Sequence, residues 1–138
     1  GKLQGQSTSC PNAIAQYAAI EALTGDQSAV GQMRKAFQTR RDVMVKRLNA
    51  MAGVQCEMPY GAFYVFPDMS SYFGKTGDGK QILTPDDLSM FLLDKTSVVS
   101  VPGESFGSQK NIRYSYAASE SDLIKAMDRV EDALKLLQ

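Results

Sequence analysis

Apolar residues recur along this chain at two spacings, and the places where the spacing changes mark its elements. Ile14, Ala18 and Ala22 share one helical face behind Ser9-Cys10-Pro11, where a proline suits a first turn whose amide lacks a partner, and Gly25 ends that helix. Asp26 caps a longer helix in which Val30, Met33, Phe37, Met44, Leu48 and Met51 keep three- and four-residue spacing as far as Gly53. From Val54 the texture changes. Val54–Glu57 and Ala62–Phe66 predict two short strands joined as a hairpin around Pro59-Tyr60-Gly61. Residues 67–81, with their glycines, serines and Asp78, predict a long exposed loop of a kind that is often functional or mobile. Thr84 before Pro85, Asp86 and Asp87 predicts a third helix through Leu93: the hydroxyl caps, the proline takes the first position, and the acids meet the positive end of the dipole. Val98–Val101 and Asn111–Ala117 read as strands, and Ser119 caps a last helix whose stripe is Leu123, Met127, Val130, Leu134 and Leu137.

Helices and strands do not alternate as βαβ units, and the strand connections are short enough for antiparallel pairing. The expected fold class is α+β, an antiparallel sheet of about four short strands covered by helices. Residues 1–10, GKLQGQSTSC, show neither period and read as an extended lead-in with the look of a cut end, leaving 11–138 as the domain.

Composition narrows the chemistry. A chain of 138 residues, 43% apolar, can bury one ordinary core without disulfide or metal staples. Lys+Arg and Asp+Glu both number 15, so no net field attracts nucleic acid or an anionic membrane, and any ligand is recognised locally. The basic residues of the long helix, among them Arg40, Arg41 and Arg47, then read as a solvated face. No apolar run approaches the roughly 18 residues of a membrane span. Cys10 and Cys56 have no paired-ligand spacing and read as reduced, partly buried thiols, which favours the cytoplasm. Histidine is absent, which removes Ser/His and Cys/His nucleophiles and the commonest zinc sites; no metal ligand set is recognisable among the acids.

The most informative residue is Arg113 in Asn111-Ile112-Arg113-Tyr114-Ser115-Tyr116-Ala117. Side chains alternate along a strand, so Arg113 and Ser115 share one face while Ile112, Tyr114 and Tyr116 share the other. If the aromatic face packs on helices, Arg113 points away from the core. Its planar fork matches a carboxylate bidentately. The local pattern equally suits a surface arginine in a cross-strand ion pair, and the aromatic run Phe63-Tyr64-Val65-Phe66 equally suits plain packing.

In sequence order the chain carries QSTSCPNAIAQ, PYGAFYVFPD, VPGESFG and NIRYSYA. This set resembles the last third of class I aminotransferases, fold type I pyridoxal-phosphate enzymes, and most of all their aspartate aminotransferase branch. The resemblance runs from about Leu3 to the end. It implies the small carboxyl-terminal domain of such an enzyme, with amino acid and 2-oxo acid substrates, a missing large domain, and a homodimer as the working unit. It implies that Arg113 binds the substrate α-carboxylate, that Phe63 walls the substrate pocket beside a turn that Gly61 permits, and that Gln6, Ser7 and Thr8 reach the neighbouring subunit's site. The Schiff-base lysine, the phosphate-holding arginine and the cofactor's other partners belong to motifs upstream of this segment in the family, and neither the lysine nor the arginine motif occurs here. On this reading the chain holds no catalytic and no cofactor-binding residue, and pyridoxal 5'-phosphate is not expected on the chain by itself.

The specificity stays open among aspartate, aromatic, branched-chain and prephenate types. Two rivals from other classes stay open as well. Gly74-Lys75-Thr76-Gly77-Asp78-Gly79-Lys80 fits part of a phosphate-binding loop, although Gln81 stands where Ser or Thr is needed. A non-enzymatic interaction domain is the other.

Overall fold

In the computed structural model, which describes residues 1–8 and 10–138, the chain begins with a helical turn rather than an extended lead-in. Helix α1 spans Lys2–Ser7 and buries nothing. It is held locally: the Ser7 hydroxyl donates to the Leu3 carbonyl at 3.1 Å, and the Thr8 hydroxyl to that of Gln4 at 2.8 Å. These hydroxyl bonds run alongside the backbone ladder and are no helix-forming signal, and no hydrophobic period announces the turn. Ser9, the first residue of the expected helix start, lies outside the described residues.

Two units divide the chain, Gly1–Arg34 and Lys35–Gln138. In the first, α2 (Ala13–Thr24) is capped by Asn12, whose side chain accepts from the Ile14 amide at 2.8 Å. Pro11 therefore precedes the cap instead of filling the first turn, because Asn12 offers the stronger acceptor. Every residue of α2 is exposed, so the Ile14, Ala18 and Ala22 face forms no core within this chain. Cys10 is likewise exposed, not partly buried as expected.

Helix α3 (Ser28–Ala50) runs across the boundary between the units. The Asp26 carboxylate accepts from the Ser28 amide at 2.9 Å, one residue ahead of the cap position that Gln27 occupies. Only its second half is core: Met44, Val45 and Leu48 are buried, whereas Val30 and Met33 are exposed. From the last turn of the helix Asn49 clamps the returning backbone, giving and receiving hydrogen bonds with Cys56 at 2.8 Å each. The Cys56 thiol is buried, and desolvation pushes it up to about 11.

The expected hairpin between Val54–Glu57 and Ala62–Phe66 does not form. Gln55 instead makes a single bridge with Asp68, and β1 (Tyr64–Val65) pairs far along the chain. Nor are residues 67–81 a long exposed loop. Met69 and Tyr72 are buried, Ser70–Tyr72 is a 3-10 turn, and β2 (Thr76–Gly77) and β3 (Lys80–Gln81) form a hairpin. The Tyr72 hydroxyl donates to the Ala52 carbonyl at 2.5 Å. Polar composition hid three anchors here: Met69, Tyr72 and the buried Gly77, whose missing Cβ leaves room for Phe91 and Leu137.

Helix α4 (Pro85–Thr96) carries the expected Thr84 cap, whose hydroxyl oxygen accepts from the Asp87 amide, and adds a reciprocal bond in which the Asp87 carboxylate accepts from the Thr84 amide. It runs three residues past Leu93 and stops at Ser97, which is left-handed at φ 56°. The chain then passes through β4 (Val101–Pro102), a 3-10 turn over Gly103–Phe106, β5 (Ile112–Ser115) and α5 (Glu120–Leu134), capped by Ser119. The main sheet has the order β1-β5-β4 and is antiparallel throughout; β2 and β3 form a separate pair. The fold class is α+β as expected, but the strands differ. Three of the four expected ones survive in shortened form in the main sheet, with only Val101 of Val98–Val101 paired there. Val54–Glu57 keeps only the Gln55 bridge, and the second sheet comes from the stretch expected to be loop. Ile112, Tyr114 and Tyr116 join Val65 in the core with Leu48, Leu92, Met127 and Val130, so the aromatic face of β5 is the helix-covered one. All five apolar positions of the last helical stripe are buried.

Candidate functional site

Because β5 is the central strand, its non-core face is flanked on both sides. The register sets Tyr64 opposite Ser115 and Val101 opposite Arg113. Directly opposed residues of an antiparallel pair project to the same face, so Tyr64, Ser115, Arg113 and Val101 gather on the side away from the helices. Arg113 is half-buried there. Its guanidinium carbon lies 4.9 Å from the Tyr64 ring centroid and 4.5 Å from that of Phe106. Among the described residues Arg113 makes no salt bridge and no hydrogen bond, although Arg41, Arg47, Lys95 and Lys135 all find carboxylates. The expected alternative of a cross-strand ion pair is not what the structure contains. The partner opposite is a valine.

Phe63 precedes β1 and is 49% exposed. Its ring meets Tyr64 edge-on at 4.9 Å, so it reaches Arg113 through Tyr64 and not directly. The turn that presents it depends on Ala62, left-handed at φ 62°. Gly61, expected to carry that turn, has open space where a Cβ would stand. Gln6, Ser7 and Thr8 belong to the other unit, on α1 and just after it, all exposed. The structure thus brings Arg113 and Phe63 into one aromatic neighbourhood, and Gln6, Ser7 and Thr8 are described within their own unit.

Tyr64 and Phe106 escaped the residue-level reading. A cross-strand pairing of β1 with β5 was the signal that could have found Tyr64, but a local hairpin took its place. Phe106 lies in the quoted VPGESFG run, yet only the 3-10 turn aims it at Arg113.

The glycine-rich stretch 74–80 offers a different chemistry from a phosphate cradle. It bends through the β2-β3 hairpin and opens no helix; α4 starts only at Pro85. The cavity of about 180 Å³ beside it is walled by Asp78, Asp87 and Asp94 as well as Lys80, the wrong balance of charge for a polyphosphate. Among the described residues no helix is long and apolar enough to cross a membrane.

Residues 2–130 match the family described as aminotransferase class I and II. The chain belongs to that family. It is 47% identical to the aspartate/prephenate aminotransferase of Cereibacter sphaeroides over 95% of this chain and 33% of that protein. To the aspartate aminotransferase of Rhizobium meliloti it is 42% identical, over 95% of this chain and 32% of the relative. A crystal structure of the aspartate aminotransferase from Rhizobium meliloti superposes with a TM-score of 0.91 at 42% identity, covering 99% of this chain and 34% of that one. The aromatic aminotransferase of Pyrococcus horikoshii superposes with a TM-score of 0.82 at 38% identity, over 97% of this chain and 34% of its own. This chain spans about a third of the length of the relatives it matches.

Proposed function

We propose that this chain is the substrate-carboxylate-binding part of a pyridoxal-phosphate-dependent aminotransferase of the aspartate type, working on amino acid and 2-oxo acid substrates as a homodimer in the cytoplasm. One observation supports the reading: Arg113 stands half-buried on the central strand, and its guanidinium N–H groups have no hydrogen-bond partner among the described residues. A fixed, unpaired guanidinium is suited to receive a carboxylate through two parallel hydrogen bonds, and such a pair sets the ligand's orientation as well as its affinity. Arg113 would take the α-carboxylate, with Phe63 as an apolar wall. Gln6, Ser7 and Thr8 would serve the site of the second subunit. The names of the similar relatives favour aspartate or prephenate over aromatic or branched-chain substrates.

The chain's own residues do not fit the task of holding pyridoxal phosphate. Every lysine is exposed except the half-buried Lys75, which lies over the Tyr72 ring at 5.3 Å. An imine-forming lysine works from a desolvated pocket, and none is placed so here. The role assigned to this part of the protein is therefore binding and orientation of substrate.

Arg113→Leu tests the reading in the enzyme that contains this chain. The KM for the amino acid should rise at least about tenfold, the loss of charged hydrogen bonds worth about 1.5–3 kcal/mol. Cofactor absorbance should stay as in the parent. An unchanged KM would refute the anchor role.

A further inference from the structure

A long cation with no salt bridge and no hydrogen bond among the described residues is held there by what packs on it. For Arg113 that packing is aromatic. Tyr64 comes from β1 and Phe106 from the turn after β4, so the rings approach from elements on either side of β5. Both centroids, at 4.9 and 4.5 Å, lie within the range of about 6 Å in which a ring quadrupole attracts a cation. The rings are themselves braced. Phe106 meets Phe66 edge-on at 6.0 Å and 89°, and Tyr64 meets Phe63 at 4.9 Å and 69°. A continuous row therefore runs Phe63, Tyr64, Arg113, Phe106, Phe66.

We propose that Tyr64 and Phe106 are positioning residues: their ring faces fix the Arg113 guanidinium in place while leaving its N–H fork free for an incoming carboxylate. The proposal rests on the anchor reading given above. A carboxylate or amide partner would hold the arginine as firmly, but it would occupy the donors that the ligand needs. A ring face occupies none of them. Phe106 fits this role better than a packing role, being 49% exposed and outside the buried core.

The test uses the cofactor-loaded enzyme that contains this chain and compares Phe106→Leu, Tyr64→Leu, the double variant, Phe106→Tyr and Arg113→Leu. Leucine keeps apolar volume and removes the ring face. Each single leucine variant should raise the amino acid KM about two- to fivefold, the fold-change that corresponds to about 0.5–1 kcal/mol, with kcat less affected. The double variant should exceed either single, and Phe106→Tyr, which restores a ring, should stay at the parental KM. Parental KM values in all three leucine variants, alongside a raised KM in Arg113→Leu, would overturn the positioning role and leave the anchor standing. A Phe106→Tyr enzyme as impaired as Phe106→Leu would overturn it too. An unchanged KM in Arg113→Leu removes anchor and positioning together.

Discussion

The Tyr116 hydroxyl donates to the Ala62 carbonyl at 3.1 Å across 54 residues of sequence, and Ala62 is the residue forced to a φ of 62°. A left-handed alanine costs about 1–2 kcal/mol, so the turn before β1 needs something to hold it. Tyr116 supplies that hold twice, since its amide also donates to the Phe63 carbonyl at 2.8 Å. Tyr116→Phe removes only the hydroxyl bond. It should lower unfolding stability by about 1 kcal/mol in a denaturant titration, with the m-value unchanged.

Tyr114, two residues earlier on the same strand, should behave in the opposite way. It is as deeply buried as Tyr116, and burial raises its phenol above the ordinary value; the Ser100 hydroxyl is near enough to offset a little of that rise, yet neither hydroxyl makes a hydrogen bond of normal geometry among the described residues. A buried polar atom without a partner is destabilising. Tyr114→Phe should therefore be neutral or stabilising by a few tenths to about 1 kcal/mol. Equal losses in the two variants would contradict this account.

At the start of α4 the reciprocal cap gives a stability contribution with a defined pH window. The Asp87 carboxyl is held below its usual range by the Leu83 amide first and then by the Thr84 hydroxyl and amide. A carboxyl lowered on folding stabilises above its unfolded value, about 3.9, and that contribution is lost as pH falls through the folded value. Thr84→Ala should cost about 1 kcal/mol at neutral pH. Asp87→Asn should lower the melting temperature at pH 7, and its gap from the parent should begin to narrow near about pH 4 and keep closing as the pH falls further, through the lowered folded value. A gap between them that persists undiminished at pH 3 would place the effect elsewhere.

What could be read in advance follows the range of the forces involved. Thr84, Pro85 and Asp87, or Ser119 ahead of its five-residue stripe, act within a few residues of their own helix, and both helices start where the pattern puts them, although α4 runs on to Thr96 and α5 ends at Leu134. The alternation in β5 likewise separated Arg113 from Tyr114 correctly. Failures came where the partner is distant or the signal purely compositional. Gln55 pairs with Asp68 and β1 with β5, and neither choice is encoded near the Pro59-Tyr60-Gly61 turn. Residues 67–81 looked like solvent-exposed loop because the anchors Met69 and Tyr72 are outnumbered by small polar neighbours. The aromatic surroundings of Arg113 needed both kinds of information, since Phe63 and Tyr64 sit in one motif and Phe106 in another. Motif order made the family legible; the β1-β5 register brings Tyr64 to the arginine and the 3-10 turn brings Phe106.

Gly103 tests the connection between that register and the arginine. Its backbone φ is not left-handed, so the demand for glycine is one of space: a Cβ would stand 2.4 Å from the Asn111 carbonyl oxygen and 2.7 Å from that of Ser108. Both are backbone atoms at the entrance to β5 and cannot swing aside. Asn111 is further fixed by the Ser108 hydroxyl at 2.6 Å and by donating to the Phe66 carbonyl at 2.7 Å. Gly103→Ala must therefore push the 3-10 turn away from β5, carrying Phe106 with it, and should cost about 1–3 kcal/mol of stability. Gly107 provides the control: it is left-handed at φ 79° but has open space around it, so alanine there should cost only about 1–2 kcal/mol of backbone strain. Paired unfolding and KM measurements on the two variants separate the effects, because Gly103→Ala should also shift the amino acid KM upward through Phe106 and Gly107→Ala should shift it less. A Gly103→Ala enzyme with parental stability would mean that the turn and strand do not approach as closely as these distances require.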